Sequence, residues 1–280
     1  MAHSNSIFSQ ILKLVPRHEF NRLAKTHDGN RRSDAMSRWT QFVAMATAQL
    51  TGRASLRDIE SAISTQKHLS YHLGSTSIKR TTLSRANQTL TSSFFEDLFA
   101  KLYSRCQSAA PNHQFRFKNK LFSLDASLLD VSLKVFPQAE YNRMKAAYKL
   151  HVGLDHEGLI PAFASVTPGK VGDQTQVKLM NFPQGSVLVF DKGYADYSWH
   201  NQLTSKGIFW VTRLRSNAKI RVLERRPVNE RQGITCDETI GFNAPKAKND
   251  NLRVVRRVGY IDPETGKHYF FITATVPPYY

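Results

Sequence analysis

The chain has little cysteine, little acid and no long apolar run in its 280 residues. Its two cysteines, Cys106 and Cys236, cannot build a disulfide framework, and no zinc-binding spacing surrounds either. A reducing compartment is the expectation. No stretch approaches the roughly 20 apolar residues of a membrane span, and the N-terminus lacks the apolar core of a signal peptide. The reading is of a soluble, cytoplasmic protein with no membrane partner. Internal repeats and low-complexity tracts are absent, which excludes solenoids and biased linkers. Acid is scarce: 22 Asp and Glu face 39 Lys and Arg, a net charge of +17. Such an excess calls for a polyanion, and nucleic acid is the first candidate, which implies association with the nucleoid. The excess is uneven. Residues 1–120 carry 18 basic against 7 acidic side chains, and residues 121–280 carry 21 against 15. The first part is therefore predicted to be the main DNA-holding surface.

What is present begins with helical patterning over residues 5–110. Ile7, Ile11, Leu12 and Leu14 suggest a first amphipathic segment, and Pro16 suits the start of a second with Phe20 and Leu23 on one face. Asp34 is placed to cap a long apolar helix through Met36, Trp39, Phe42, Val43, Met45 and Leu50, stopped by Gly52. Ser55 with Asp58 opens another helix. A short segment over 66–73 follows, then a Gly-containing turn and a helix from Ile78 to Gln88. That pair resembles a helix-turn-helix. Lys79, Arg80, Thr82, Arg85 and Asn87 are the side-chain types that contact phosphates and base edges, and they are the predicted DNA-binding residues. This helix is read as continuing through Phe94, Phe95, Leu98, Phe99 and Leu102.

Beyond a linker at 111–114 the pattern turns to strands. Leu121 to Ser127 and Val187 to Phe190 are short apolar runs suited to buried strands, and each runs straight into a carboxylate, Asp125 and Asp191. Asp125 is expected where its strand leaves the sheet. Ligands in open α/β sheets gather at the carboxyl ends of strands, so two aspartates delivered there could share a divalent metal. Strands are also predicted over 146–155, 159–167 and 208–213, with helices opened by Asp173 and Asp196. After Asn217 short basic strands alternate. His151 reads as a satisfied core histidine, Asp155 as a turn residue, and Asp173 and Asp196 as caps.

The words Leu-Asp-Ala-Ser-Leu-Leu-Asp at 124–130, Tyr-Lys-Leu-His-Val-Gly-Leu-Asp at 148–155 and Phe-Asp-Lys-Gly-Tyr-Ala-Asp-Tyr at 190–197 resemble bacterial DDE transposases of the group typified by insertion sequence four. The resemblance covers nearly the whole chain. It implies an α/β fold: a ribonuclease H-like mixed sheet with an N-terminal helical DNA-binding domain and a β-rich insertion. The implied division is 1–115, 116–216 and 217–280. The resemblance further implies cleavage and joining of transposon ends by two-metal phosphoryl transfer with Mg²⁺ or Mn²⁺, Asp125 lying between the metals and Asp191 on one of them. Lys192 would stand near a phosphate. Double-stranded DNA, as transposon end and target, would be the partner, and the acting form a homo-oligomer.

One departure follows from the same comparison. The family completes its triad with a Glu on a helix beyond the β-rich insertion, in a motif of Tyr, Arg, Glu and Lys. No such motif follows here, and Glu224, Glu230, Glu238 and Glu264 lack that context. The expectation is a transposase cut short, binding DNA without cleaving it. The alternative is a non-catalytic, sequence-specific DNA-binding remnant. An RNA-processing nuclease of the same fold is disfavoured by the helix-turn-helix-like segment, because A-form RNA hides its major groove.

Overall fold

The computed structural model describes residues 6–29, 36–65, 73–131, 140–142, 145–178, 180–194, 196–243 and 254–274. The chain divides into two compact units, Met1–Arg105 and Cys106–Tyr280.

The first unit is helical: α1 (Ile7–Lys13), α2 (Arg17–Asp28), α3 (Arg38–Leu50), α4 (Leu56–Ser64), α5 (Arg80–Thr89) and α6 (Ser93–Ala109). The central α3 serves two cores. Trp39 and Val43 pack with Leu12, Phe20, Leu23, Phe94 and Leu98. Ala44 and Ala48, four residues apart and so on one face, pack with Ile59, Ile78, Leu83 and Ala86. Ser55 caps α4 by accepting from the Asp58 amide, as the sequence indicates. The cap of α3 is Ser37, which accepts from the Thr40 amide; Asp34 lies outside the described residues, as do 66–72. Two expectations need correction. Of the four apolar residues read as a first amphipathic segment, only Leu12 is buried, and Ile7, Ile11 and the C-cap Leu14 are 77%, 41% and 73% exposed. Seven residues make under two turns, and one buried side chain anchors them. The second correction is that α5 and α6 are separate helices. Leu90 is extended with ψ 134°, and the Thr91 carbonyl accepts from the buried Arg38 guanidinium instead of an amide. Arg38 also holds Asp28 at 2.9 Å and lies over the Phe94 ring. A buried charge must be paired to be tolerated, and this pairing draws the chain out of helix between α5 and α6.

The second unit is built on one ten-stranded mixed sheet. Its strands are β1 (Leu121–Val131), β2 (Glu140–Asn142), β3 (Lys145–Asp155), β4 (Ile160–Pro168), β5 (Val187–Phe190), β6 (Phe209–Arg213), β7 (Ile220–Arg226), β8 (Ile234–Phe242), β9 (Val255–Ile261) and β10 (His268–Ala274). The order is β2-β3-β1-β5-β6-β10-β9-β8-β7, with β4 also on β3. β1, β5 and β6 are parallel neighbours, and the others pair antiparallel. The basic strands after Asn217 continue this sheet, because β10 pairs with β6 through Ile272 and Thr212. Lys246, Lys248 and Arg253 of that segment lie outside the described residues. α7 (Asp173–Val177) precedes β5, and α8 (Tyr197–Ser205) connects β5 to β6. Phe122, Leu124, Leu188, Phe190 and Trp210 alternate onto one sheet face, where Val177, Trp199 and Leu203 of the helices join them in a single core.

Candidate active site

β1 does not end at Asp125. It runs on to Val131, paired with β3 from Phe122↔Asp155 to Val131↔Ala146. What ends at Asp125 is the pairing with β5, whose last pair is Leu124↔Phe190. Asp125 and Asp191 are thus the next residues on two adjacent parallel strands, although 66 positions apart in sequence. The strand pleat turns Leu124, Phe190 and Trp210 toward the helix-covered core and Asp125, Val189 and Arg213 to the other face. That face is open: Asp125 is exposed, and Val189 is 39% exposed.

Arg213, at the end of β6, closes the group. Its Nε and Nη2 donate to Asp191 Oδ1 at 3.1 and 2.5 Å. Burial alone pushes the Asp191 carboxyl up, but the Arg213 hydrogen bonds, the Lys192 amide and both positive charges outweigh it and hold Asp191 below the usual carboxylate range. The Lys192–Tyr194 turn follows directly. Lys192 is exposed, and its carbonyl accepts from Arg215 at 3.4 Å. Gly193 lets this turn sit against α7: a Cβ there would meet Asp173 Oδ2 at 3.2 Å.

Behind the turn lies a network that sequence reasoning missed. Tyr194 is buried, with its hydroxyl 3.4 Å from His151 Nδ1, and His151 Nε2 is 2.9 Å from Thr167 Oγ1. Burial, and then the charges of Asp173, Asp125 and Asp191, push the Tyr194 hydroxyl above its ordinary range, so it stays protonated. Asp173 is not a cap: it is the first residue of α7, and its carboxylate accepts from Lys149 Nζ at 2.9 Å. His151 is the satisfied core histidine its sequence position suggests, held below its usual value first by burial. Asp196 does cap α8, accepting from the Trp199 amide. The available signal was the Lys149-x-His151 alternation on β3, which puts both side chains on the core face.

The predicted DNA-binding residues lie on α5 or at its start. Lys79, Arg80, Thr82, Arg85 and Asn87 are all exposed. They do not share one face. At 3.6 residues per turn, Arg85 points away from the buried Leu83–Ala86 stripe, while Arg80 and Asn87 lie along one flank of it. The Asn87 amide is also engaged, its Oδ1 accepting from Gln41 at 2.8 Å and its Nδ2 donating to Met45 Sδ at 3.6 Å.

The oxygen donors at Asp125 and Asp191 are of the kind that hard divalent cations take. Among the described residues no group of three His, Cys, Asp or Glu is arranged to hold a metal. No helix among them is long and apolar enough to cross a membrane.

The family described as "Transposase DDE domain" matches residues 116–269, more than half of the chain, and so contains both aspartates, Arg213 and the Tyr194 network. The chain belongs to the DDE transposases. It is of the bacterial insertion-sequence kind. Residues 3–76 match a second family, described as a domain of unknown function, DUF4372. A protein of Sinorhizobium fredii named as transposase y4zB is 28% identical over 95 residues, covering 34% of this chain. The match spans only 27% of that relative's length. Among solved structures, the piggyBac transposase synaptic complex with hairpin DNA aligns over 99% of this transposase chain and 63% of its own, at TM-score 0.43 and 11% identity. Endonuclease V of Ciona intestinalis aligns over 66% of this chain and 84% of its own, at TM-score 0.25 and 10% identity.

Proposed function

We propose that Asp125 and Asp191 form the catalytic pair of a DNA transposase that cleaves and joins transposon ends, and that they would hold a divalent cation, Mg²⁺ or Mn²⁺. What supports this reading is that two aspartates distant in sequence directly follow the last pair, Leu124↔Phe190, of two adjacent parallel strands, inside the segment that matches the DDE family. Asp125 and Asp191 would hold the cation, which would supply activation of a water or 3′-hydroxyl and charge neutralisation at a leaving oxygen. The chain's own residues supply position and charge, which is most of what a phosphoryl transfer asks of a protein. Arg213 holds Asp191 ionised and in one orientation, and exposed Lys192 is placed to meet a phosphate. The strand order β4-β3-β1-β5-β6, with its parallel centre, supports a ribonuclease H-like core over 116–216 carrying a β-rich insertion at 217–280. Residues 1–115, the more basic part, are assigned to holding double-stranded DNA through α5, in a homo-oligomer that brings two ends together.

The test is cleavage of duplexes carrying the element's ends in Mg²⁺ or Mn²⁺, beside calorimetric titration of Mn²⁺. Asp125→Ala and Asp191→Ala should each abolish the Mn²⁺ heat without altering the circular dichroism, and any cleavage by the parent chain should fall at least about 100-fold in each, by analogy with loss of one transition-state donor. Cleavage and Mn²⁺ binding unaffected by either substitution would overturn the assignment.

A further inference from the structure

The approach to β1 carries a second surface that the carboxylate pair does not use. Phe115 and Phe117 are 54% and 39% exposed, yet they are ordered against one another. Their rings are offset and nearly parallel, with centroids 5.7 Å apart and planes 16° apart. His113 packs on both, at 5.5 and 5.1 Å, and His156 meets Phe115 at 6.0 Å. The supports are themselves anchored. His113 Nε2 lies 2.7 Å from the Asn119 carbonyl, Asn119 Nδ2 donates to the Gly185 carbonyl at 2.7 Å, and His156 Nε2 is 3.1 Å from Ser123 Oγ. The loop before them is seated too, since a Cβ on Gly158 would come 2.8 Å from Ala110 Cβ.

Two phenyl faces held toward solvent cost free energy unless something covers them. The charges beside them say what. Arg116 and Lys118 alternate with the two rings, both exposed, and neither makes an ion pair among the described residues. Lys120 is committed to Glu157 at 3.1 Å. Aromatic faces interleaved with free cations are the composition of a single-strand nucleic-acid platform: rings take the bases and cations take the phosphates between them. A protein partner fits less well, because two rings are far short of the roughly 800 Å² per side that a stable interface covers.

We propose that Phe115 and Phe117, with Arg116 and Lys118, form a stacking site for unpaired bases of a DNA strand. The site adjoins the start of β1, and Asp125 is four residues farther along it. That is about 13 Å. A strand running along β1 past Asp125 would reach the rings with its unpaired nucleotides. The proposal shares with the functional reading only that DNA is the partner; it does not need the aspartates to be catalytic.

The experiment is metal-free fluorescence anisotropy with the full chain, a labelled 15-nucleotide oligodeoxythymidylate and a blunt duplex of equal length. The double variant Phe115→Ala/Phe117→Ala should weaken single-strand binding by about tenfold or more and change duplex binding less than about twofold. Phe115→Tyr/Phe117→Tyr keeps both rings and should retain binding, which separates stacking from misfolding. Arg116→Ala/Lys118→Ala should flatten the salt dependence of single-strand binding. Equal losses on single strand and duplex, or no loss on either, would overturn the site. So would tighter binding of the equivalent RNA, or a change in self-association by sedimentation with oligonucleotide binding intact.

Discussion

Leu188 and Val189 are neighbours on β5, yet they face different worlds. Leu188 is fully buried under α7 and α8, and Val189 is 39% exposed beside Asp125 and Arg213. The same contrast runs across β1 and β6. One sheet face holds Phe122, Leu124, Phe190 and Trp210 in a continuous core, and the other carries the charged pair. Stability is concentrated on the first face and candidate chemistry on the second, one residue apart along each strand. Substitutions on the covered face should therefore damage folding first. Those on the open face should damage function and leave folding alone.

The sharpest break of this division is Trp210→Ala. Trp210 is fully buried, stacks on His200 at 4.2 Å and donates to Thr204 at 3.1 Å. Its loss should cost about 3–5 kcal/mol by transfer and cavity terms, read as a lower denaturant midpoint at constant slope. A loss under about 1 kcal/mol would mean that the covered face does not carry the fold.

His200 tests the same core by pH. It is fully buried, and neither ring nitrogen has a hydrogen-bond partner among the described residues. Burial pushes its pKa down to about 4, with Asp196 opposing and Arg215 assisting. Above the ordinary value of 6.5 both folded and unfolded states hold a neutral ring. As pH falls below 6.5 only the unfolded state takes the proton, so stability falls, and the loss is complete near pH 4. The drop from 6.5 to about 4 sets the order of that loss at about 3 kcal/mol. His200→Phe keeps the shape, removes two unsatisfied nitrogens and should flatten stability between pH 6.5 and 4. An unchanged acid slope in urea melts would place the sensitivity elsewhere.

Much of this arrangement is legible in the chain, for local reasons. Apolar runs that end on Asp125 and Asp191 mark β1 and β5, and Ser55 announces its helix. The rest depends on partners distant in sequence. Nothing near Asp191 says that Arg213 will bind it, because the parallel register of β5 and β6 makes that pair. Tyr194 reads as a turn residue until His151 and Asp173 arrive from β3 and α7. Likewise β10 joins the central strands only through its register with β6, and Arg38 interrupts the helix at Thr91 from 53 positions away. For the helical unit, pattern named the side chains but not their direction. Arg85 faces outward on α5, whereas Asn87 is tied to Gln41 and Met45. Arg85→Ala should cost about 1–3 kcal/mol of DNA binding, varying with sequence if it reads a base, and Arg80→Ala should give a uniform loss with a salt slope lower by about 1. Identical behaviour of the two variants in competition titrations would remove the distinction between flank and outward face.

The smallest expected effect sharpens the comparison most. Val189→Thr is nearly isosteric and places a hydroxyl on the open face. In a core this exchange is penalised, because the hydroxyl needs a partner. At a position 39% exposed water supplies that partner, and surface substitutions of this kind stay within about 0.5 kcal/mol. Leu188→Ala, one residue earlier, should cost about 2–5 kcal/mol. The two sites share one strand and one backbone, and Leu188→Thr, the polar exchange on the covered face, should cost more than Val189→Thr because its hydroxyl is cut off from water. If Val189→Thr instead costs about 2 kcal/mol and the loss grows with protein concentration, the face beside Asp125 is covered in solution by a second copy of the chain. Folding and the approach of DNA to the aspartates would then be coupled through that contact.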